Sequence, residues 1–355
     1  MTEENMRTFD YTFLKDGLIP ANLVNLIAGI ASLKTMADVH KAEYMRVFTG
    51  LETVAKVRSI KSSNAIEGIF TSPDRIKGII GRKSAPINRI EAEIAGYRDA
   101  LCEVHSNHAL LDFRKSDILA LHKIMMSFTG YKFGGQYKTE DNMIVEVDDS
   151  GNRKVRFRPT PASETEYAME QLELAYVKAN NDPDINKLLL IPCVILDFLC
   201  IYPFREGNGR MSRLLSLLLL YNNGYDAGKY ISFEEQISNN KGNYDEALRR
   251  SSTDRDVDQN AYFIFVSDFL SSFHTCYLEL DKRFIITDGK RITKKGRIEA
   301  TVYDSQTPLS KADICQILPD ISPTTVEAVL GVMVRDDRIK CVGQGKATRY
   351  IKPEK

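Results

Sequence analysis

The residues with the most chemistry per position lie in one run, Tyr202-Pro203-Phe204-Arg205-Glu206-Gly207-Asn208-Gly209-Arg210, continuing through Met211-Ser212-Arg213 into an apolar stretch. A buried helix is expected to end near Ile201, because Pro203 cannot continue it. Gly207 and Gly209 allow backbone angles that turn several amide N–H groups toward one point. The helix that follows adds its positive dipole end. Arg210 and Arg213 bring full charges to the same place. Such a cradle suits the phosphates of a nucleotide, and Glu206 is placed to hold a hard divalent cation, Mg²⁺, bridging them. Gly-Asn-Gly alone reads as a tight turn between helices; the carboxylate and two arginines beside it turn the reading toward phosphate binding.

The elements that must position this loop are helical. Apolar residues recur at helical spacing through most of the first 285 positions, as in Leu23, Leu26, Ile27 and Ile30, or Ile118, Leu121, Ile124 and Met125. Leu188 to Leu199 and Arg213 to Tyr221 are apolar on nearly all sides, which predicts central helices of a bundle. Gly134 to Pro161 breaks the pattern. There, Met143–Val147 and Lys154–Arg158 flank the turn signal Asp148-Asp149-Ser150-Gly151-Asn152 and predict a hairpin. A second unit is expected from Lys290. Ser310 caps a helix through Leu318, Ser322-Pro323 opens another from Thr324 to about Asp336, and strands Ile339–Val342 and Thr348–Ile351 flank Gly343-Gln344-Gly345. That is the element order of a winged helix. The fold class expected is therefore mainly α, a helical bundle with a small hairpin plus an α+β C-terminal unit. Its segments are 1–110, 111–285 and 290–355.

Composition narrows the setting. The 355 residues carry 48 basic and 48 acidic side chains, so the whole molecule has no electrostatic bias toward nucleic acid or an anionic membrane. The six cysteines are scattered without a Cys-x-x-Cys pair, which argues against structural zinc and a disulfide framework. The polar N-terminus lacks the features of a signal peptide, and the longest apolar stretch contains Pro192 and Asp197. A cytoplasmic protein with reduced thiols and no membrane partner is expected.

The run from Tyr202 resembles the signature of the Fic (Fido) family, His-Pro-Phe-x-(Asp/Glu)-Gly-Asn-Gly-Arg-x-x-Arg, matching every named position except the first. The resemblance extends over roughly Lys56 to Leu270. Gly134-Gly135-Gln136-Tyr137-Lys138 is similar to the segment before the family's flap hairpin, and Asn240-Lys241 with Tyr244 and Leu248 to the helix lining the adenine side. The resemblance implies a Fic-type bundle, ATP and Mg²⁺ as cofactors, and AMP transfer to a hydroxyl of a target protein, with the chain itself among the candidate targets. It implies that Phe204, Gly207, Asn208, Gly209, Arg210, Arg213, Asn240 and Tyr244 line the nucleotide, that Arg210 contacts the β and γ phosphates, and that Glu206 holds the metal. Gly209 argues against the phosphorylating variant, which has lysine there. Ser63-Asn64-Ala65-Ile66-Glu67-Gly68 is similar to the family's inhibitory motif, in which the glutamate pairs with the second arginine, here Arg213. Ser63, Glu67 and Gly68 are thus the expected brake, although Ser-x-x-x-Glu is also an ordinary helix-capping pattern.

One departure bears on activity. Tyr202 stands where active relatives have the histidine that takes the proton from the attacking hydroxyl. At neutral pH only about one tyrosine in a thousand is ionised, so the catalytic pair Tyr202 and Arg210 is expected to support slow transfer or none unless Arg210, Arg213 and Mg²⁺ depress the phenol's pKa. The alternative is a non-enzymatic, nucleotide-sensing regulator acting through the winged helix. Residues 290–355 hold 13 Lys/Arg against 8 Asp/Glu, which points to DNA, with Lys346 and Arg349 as contacts. Glu327 on the recognition helix points the other way, and a winged helix also serves in dimerisation.

Overall fold

Leu188 to Ile201 has almost no polar side chain, and such a segment is stable as a helix only when neighbours cover every face. The computed structural model describes residues 9–147, 153–254, 261–284, 293–303, 305, 308–318, 321–343, 345 and 348–352, and places that segment at the centre. The elements before it are α1 (Phe13–Asp16), α2 (Ala21–Glu43), α3 (Met45–Ile66), α4 (Pro73–Ile80), α5 (Arg89–Asn107), α6 (Lys115–Met126), β1 (Ile144–Val147), β2 (Arg153–Phe157) and α7 (Ala162–Asn180). The central helix is α8 (Lys187–Ile201), followed by α9 (Asn208–Asn222), α10 (Phe233–Asn239), α11 (Lys241–Asp254) and α12 (Tyr262–Asp281). The C-terminal elements are α13 (Lys294–Tyr303), α14 (Lys311–Ile317), α15 (Pro323–Arg335), β3 (Lys340–Val342) and β4 (Arg349–Ile351).

The protein is mainly helical. Every side chain of α8 from Leu188 to Ile201 is buried, against α7, α9, α11 and α12. Its one carboxylate, Asp197, accepts hydrogen bonds from the hydroxyls of Tyr11 at 2.9 Å and Tyr262 at 2.8 Å, which offset the cost of burying it. One apolar cluster joins Tyr11 to Leu280, so residues on both sides of the 110/111 boundary share a core. A second cluster, from Ile298 to Ile339, belongs to the C-terminal elements.

Both expected strand pairs form. β1 and β2 are antiparallel with Val145 opposite Val155, while the turn 148–152 lies outside the described residues. β3 and β4 pair with Cys341 opposite Tyr350, and Gln344 and Lys346 lie outside the described residues, as do 285–292, where the second unit was expected to begin. No described helix is long and apolar enough to cross a membrane.

Capping explains the helix starts in the C-terminal unit. Ser310 accepts from the Asp313 amide at 3.1 Å while Asp313 accepts from the Ser310 amide at 2.9 Å, a reciprocal box. Ser322 caps α15 through the Thr325 amide, with Pro323 in the first turn. Ser310→Ala is expected to cost about 1 kcal/mol, read as a lower denaturation midpoint of the C-terminal unit; an unchanged midpoint would show that the box is not needed there.

Candidate anion-binding site

The loop between α8 and α9 is built by reversing the chain. Tyr202 caps α8 in the left-handed region, at φ 53° and ψ 60°, a conformation that costs a non-glycine residue on the order of 1–2 kcal/mol. Surrounding bonds hold it. The Lys138 ammonium donates to the Ile201 carbonyl at 3.1 Å and its amide to the Pro203 carbonyl at 2.9 Å, so one residue clamps both sides of Tyr202. A cation at a helix C-terminus also complements the dipole. Asn208 then closes the loop on itself, accepting from the Phe204 amide at 2.9 Å and donating to the Phe204 carbonyl at 2.7 Å.

His122 on α6 supports the loop from beneath. Its ring stacks on Phe204 at 3.7 Å between centroids. Nδ1 accepts from the Gly135 amide at 3.0 Å, which leaves Nε2 to donate to the Glu206 carbonyl at 3.1 Å. Both nitrogens are thus engaged, and the ring is neutral. Burial lowers its pKa to about 4, helped by Arg210 and opposed by the Glu206 carbonyl. The folded value lies below the unfolded one, so the unfolded chain binds the extra proton and stability is lost as pH falls through the window between about 6.5 and 4. We expect urea titrations to show about 2 kcal/mol lost from this group between about pH 7 and pH 5. His122→Gln should flatten that slope, and an equally steep slope in the variant would assign it elsewhere.

The N-terminus of α9 carries the cradle. Gly207, at φ 86°, turns the chain into the helix, and a side chain there would meet Met125 and Met126. Gly209 leaves room for a carboxylate: a Cβ at 209 would collide with Glu67 Oε1. Glu67, the C-cap of α3, therefore lies across the first turn of α9, where helix geometry favours an anion.

The two arginines differ. Arg213 is buried and well partnered: Nε donates to Ser63 Oγ at 2.8 Å, and Nη2 to the Ser63 carbonyl at 3.0 Å and Glu67 Oε1 at 2.7 Å. Burial pushes the Glu67 carboxyl up, but Arg213 outweighs it and holds the group below the usual carboxylate range. Arg210 is equally buried at 3 % exposure, and its Nη2 pairs with Glu93 Oε2 at 2.8 Å. Among the described residues its Nε and Nη1 have no hydrogen-bond partner. Buried donors left unmade cost on the order of 1–3 kcal/mol, so Arg210 is the less satisfied of the two arginines.

Arg213 and Gly209 of the loop meet Ser63 and Glu67, and Tyr202 and Arg210 lie within the electrostatic reach of Glu67; Glu206 is paired instead with Arg89, and Gly68 is exposed with open space beside it. Tyr244 joins them, its buried phenol pushed up to about 12 with Arg213 and Glu67 as its strongest charged neighbours. The Phe204 ring is fully buried against His122 and shapes the loop. Burial pushes the Tyr202 phenol above its ordinary value, Glu67 adds to the rise, and Asn208 only partly opposes it. Asn240 sits at the start of α11, where its amide is engaged with Asp268 at 3.0 Å and Asn243 at 2.6 Å.

Among the described residues, no group of three or more His, Cys, Asp or Glu could hold a metal. Glu206 is a lone carboxylate, paired with Arg89 at 2.8 Å. One carboxylate fits Mg²⁺ that arrives with phosphate oxygens and waters as its other ligands, and does not fit an ion held by protein alone. The sequence reading missed Arg89 and Glu93, and named Lys138 and Lys241 only as members of similar segments; the Lys241 ammonium donates to the Ile66 carbonyl at 2.8 Å and ties the end of α3 to α11. Arg89 and Glu93, four apart on α5, were visible as an i,i+4 pair, but nothing local aimed them at the loop.

Residues 112–220 match the Fic/DOC family. None of the curated proteins matches the sequence. Among solved structures, a Fic family protein from Desulfovibrio desulfuricans is similar over 95% of this chain and 98% of its own, at 21% identity and a TM-score of 0.61. A Fic-domain-containing signaling protein from Bacteroides thetaiotaomicron covers 74% of this chain and 97% of its own, at 19% identity and TM-score 0.58. Fic-1 from C. elegans covers 74% of this chain and 73% of its own, at 18% identity and TM-score 0.53. Loop, fold and matched segment agree: residues 112–220 match the Fic/DOC family, and the helices around them build a fold similar to that of solved Fic proteins.

Proposed function

We propose that the loop from Tyr202 to Arg213 binds ATP, with Glu67 as its internal competitor, in a protein whose transfer step is impaired by Tyr202. Fic-family domains generally transfer AMP or another nucleotide group to proteins. The observation that carries the reading is Arg210, a buried guanidinium in the first turn of α9 with two donors unpartnered among the described residues. In this reading Gly207, Asn208, Gly209 and Arg210 hold the phosphates, and Arg213 reaches an anion only by giving up Glu67. Glu206 would hold Mg²⁺, which would supply positive charge to offset that of the phosphates. Tyr202 occupies the general base's position, and its raised pKa keeps the phenol protonated and unable to accept the hydroxyl proton. The hairpin of β1 and β2 is read as the flap that aligns a target chain.

A specific packing arrangement favours the second reading, a nucleotide-sensing regulator. Ile317 of α14 shares a small gap with Leu51, Val54 and Ala55 of α3, the helix that ends in Glu67. In this reading a displacement of Glu67 would pass along α3 to the C-terminal unit, which we read as a winged helix. Its basic excess suits DNA, although Glu327 on α15 is paired with Lys311.

Calorimetry with ATP and Mg²⁺, and transfer of label from α-labelled ATP, test both readings on wild type and Glu67→Gly. Wild type is expected to bind ATP, Glu67→Gly to bind it more tightly, and label to stay near background in both. Absence of ATP binding to either protein at millimolar concentration would overturn the proposal.

A further inference from the structure

Arg89 links two acidic groups of the site, on two different elements. At the start of α5, its Nε donates to Glu93 Oε1 at 3.0 Å and its Nη2 to Glu206 Oε2 at 2.8 Å, while the guanidinium lies over the Tyr131 ring at 5.1 Å. The other oxygen of Glu93 carries Arg210 at 2.8 Å. A chain of four charges thus runs from Glu206 through Arg89 and Glu93 to Arg210. Its inner members are buried, Glu93 at 7 % and Arg210 at 3 %. Its other two members differ: the Arg89 side chain is 59% exposed and the Glu206 side chain 35%.

We propose that Arg89 is a latch on the cation position: it neutralises the Glu206 carboxylate in the metal-free protein and must release it when a divalent cation arrives with a nucleotide. The inference rests on the reading of the loop as an ATP–cation site. Three features carry it. Glu206 is the loop's sole carboxylate, so whatever pairs with it competes directly with a cation. An exposed arginine on a long flexible stem leaves at small cost, because an ion pair in water is worth little. The Nε bond to Glu93 and the Tyr131 ring give Arg89 a place to remain after Nη2 lets go, so the release is local and needs no helix movement. With Glu206 released, Arg89 also rests more fully on Glu93, which loosens that carboxylate's hold on Arg210 and leaves Arg210 freer for phosphate. Cation and phosphate loading are coupled through one shared carboxylate.

The sign of the effect separates a latch from a merely electrostatic or structural role. A cation near a phosphate site ordinarily helps an anion bind, so Arg89→Ala should weaken binding of α,β-methylene ATP in EDTA. A latch predicts the opposite once the metal is present. Mn²⁺ retention, followed by electron paramagnetic resonance with α,β-methylene ATP, should be roughly two- to fivefold tighter in Arg89→Ala than in wild type, the range expected for losing one exposed ion-pair competitor. The gain of Arg89→Ala over wild type should disappear when Glu206→Gln is present in both proteins and shrink as salt is raised. If Arg89→Ala holds Mn²⁺ no more tightly than wild type while Glu206→Gln weakens it, the latch is wrong and the ATP–cation reading stands. If Glu206→Gln leaves Mn²⁺ retention unchanged, Glu206 is not a ligand and both fall.

Discussion

Replacing Tyr202 by histidine in the Glu67→Gly background should raise AMP transfer by roughly 10²–10⁴, the usual worth of a positioned general base. The expectation follows from what surrounds position 202. The backbone there is left-handed and is clamped by both polar groups of Lys138, so a new side chain inherits the direction of the old one. Histidine enters the left-handed region more readily than most residues. Its pKa near 6.5 leaves a large neutral fraction at pH 7, whereas burial and Glu67 push the phenol above a value at which only about one in a thousand is already ionised. His122 cannot serve instead, because both of its nitrogens are bonded within the fold. The measurement is label from α-labelled ATP on protein, comparing Glu67→Gly with Glu67→Gly/Tyr202→His at matched ATP occupancy. Equal labelling at a substantial rate would show that Tyr202 supports transfer and that the reading of an impaired site is wrong.

Arg210→Met should weaken ATP binding by about a hundredfold, which corresponds to losing charge-assisted hydrogen bonds of roughly 1.5–3 kcal/mol. Methionine keeps much of the buried volume but offers no donor, and Glu93 retains Arg89 as a counter-ion. Arg210→Lys should recover only part of the affinity, because an ammonium is a point charge without the planar fork. Calorimetric titration checks the affinity, and a thermal midpoint read alongside separates lost binding from lost folding. A Met variant that binds ATP as wild type does would remove the observation on which the proposed function rests. Arg213 is the less informative target, since its substitution removes the partner of Glu67 and the nucleotide contact together.

What the sequence determined by itself was local. Gly207 and Pro203 specify a loop because their backbone preferences hold in any context, and Ser310 and Ser322-Pro323 specify helix starts for the same reason, whereas Gly209 sits inside α9 and its role as room for Glu67 shows only in the fold. The apolar run Leu188–Ile201 required burial wherever it lay, and the spacing of Ser63 and Glu67 put both at one helix end. The tertiary structure alone decided which groups meet. Arg89 and Glu93 lie more than a hundred residues before Glu206 and Arg210, and no periodicity connects them. Lys138 stands far from Tyr202 in the chain but holds its turn. The stack of His122 on Phe204 joins residues far apart in the chain, and the direction of the Tyr202 shift depends on how much water the packed helices exclude. Charge and hydrogen bonding act through space and fall off within a few ångströms, whereas a sequence records neighbours only along the chain.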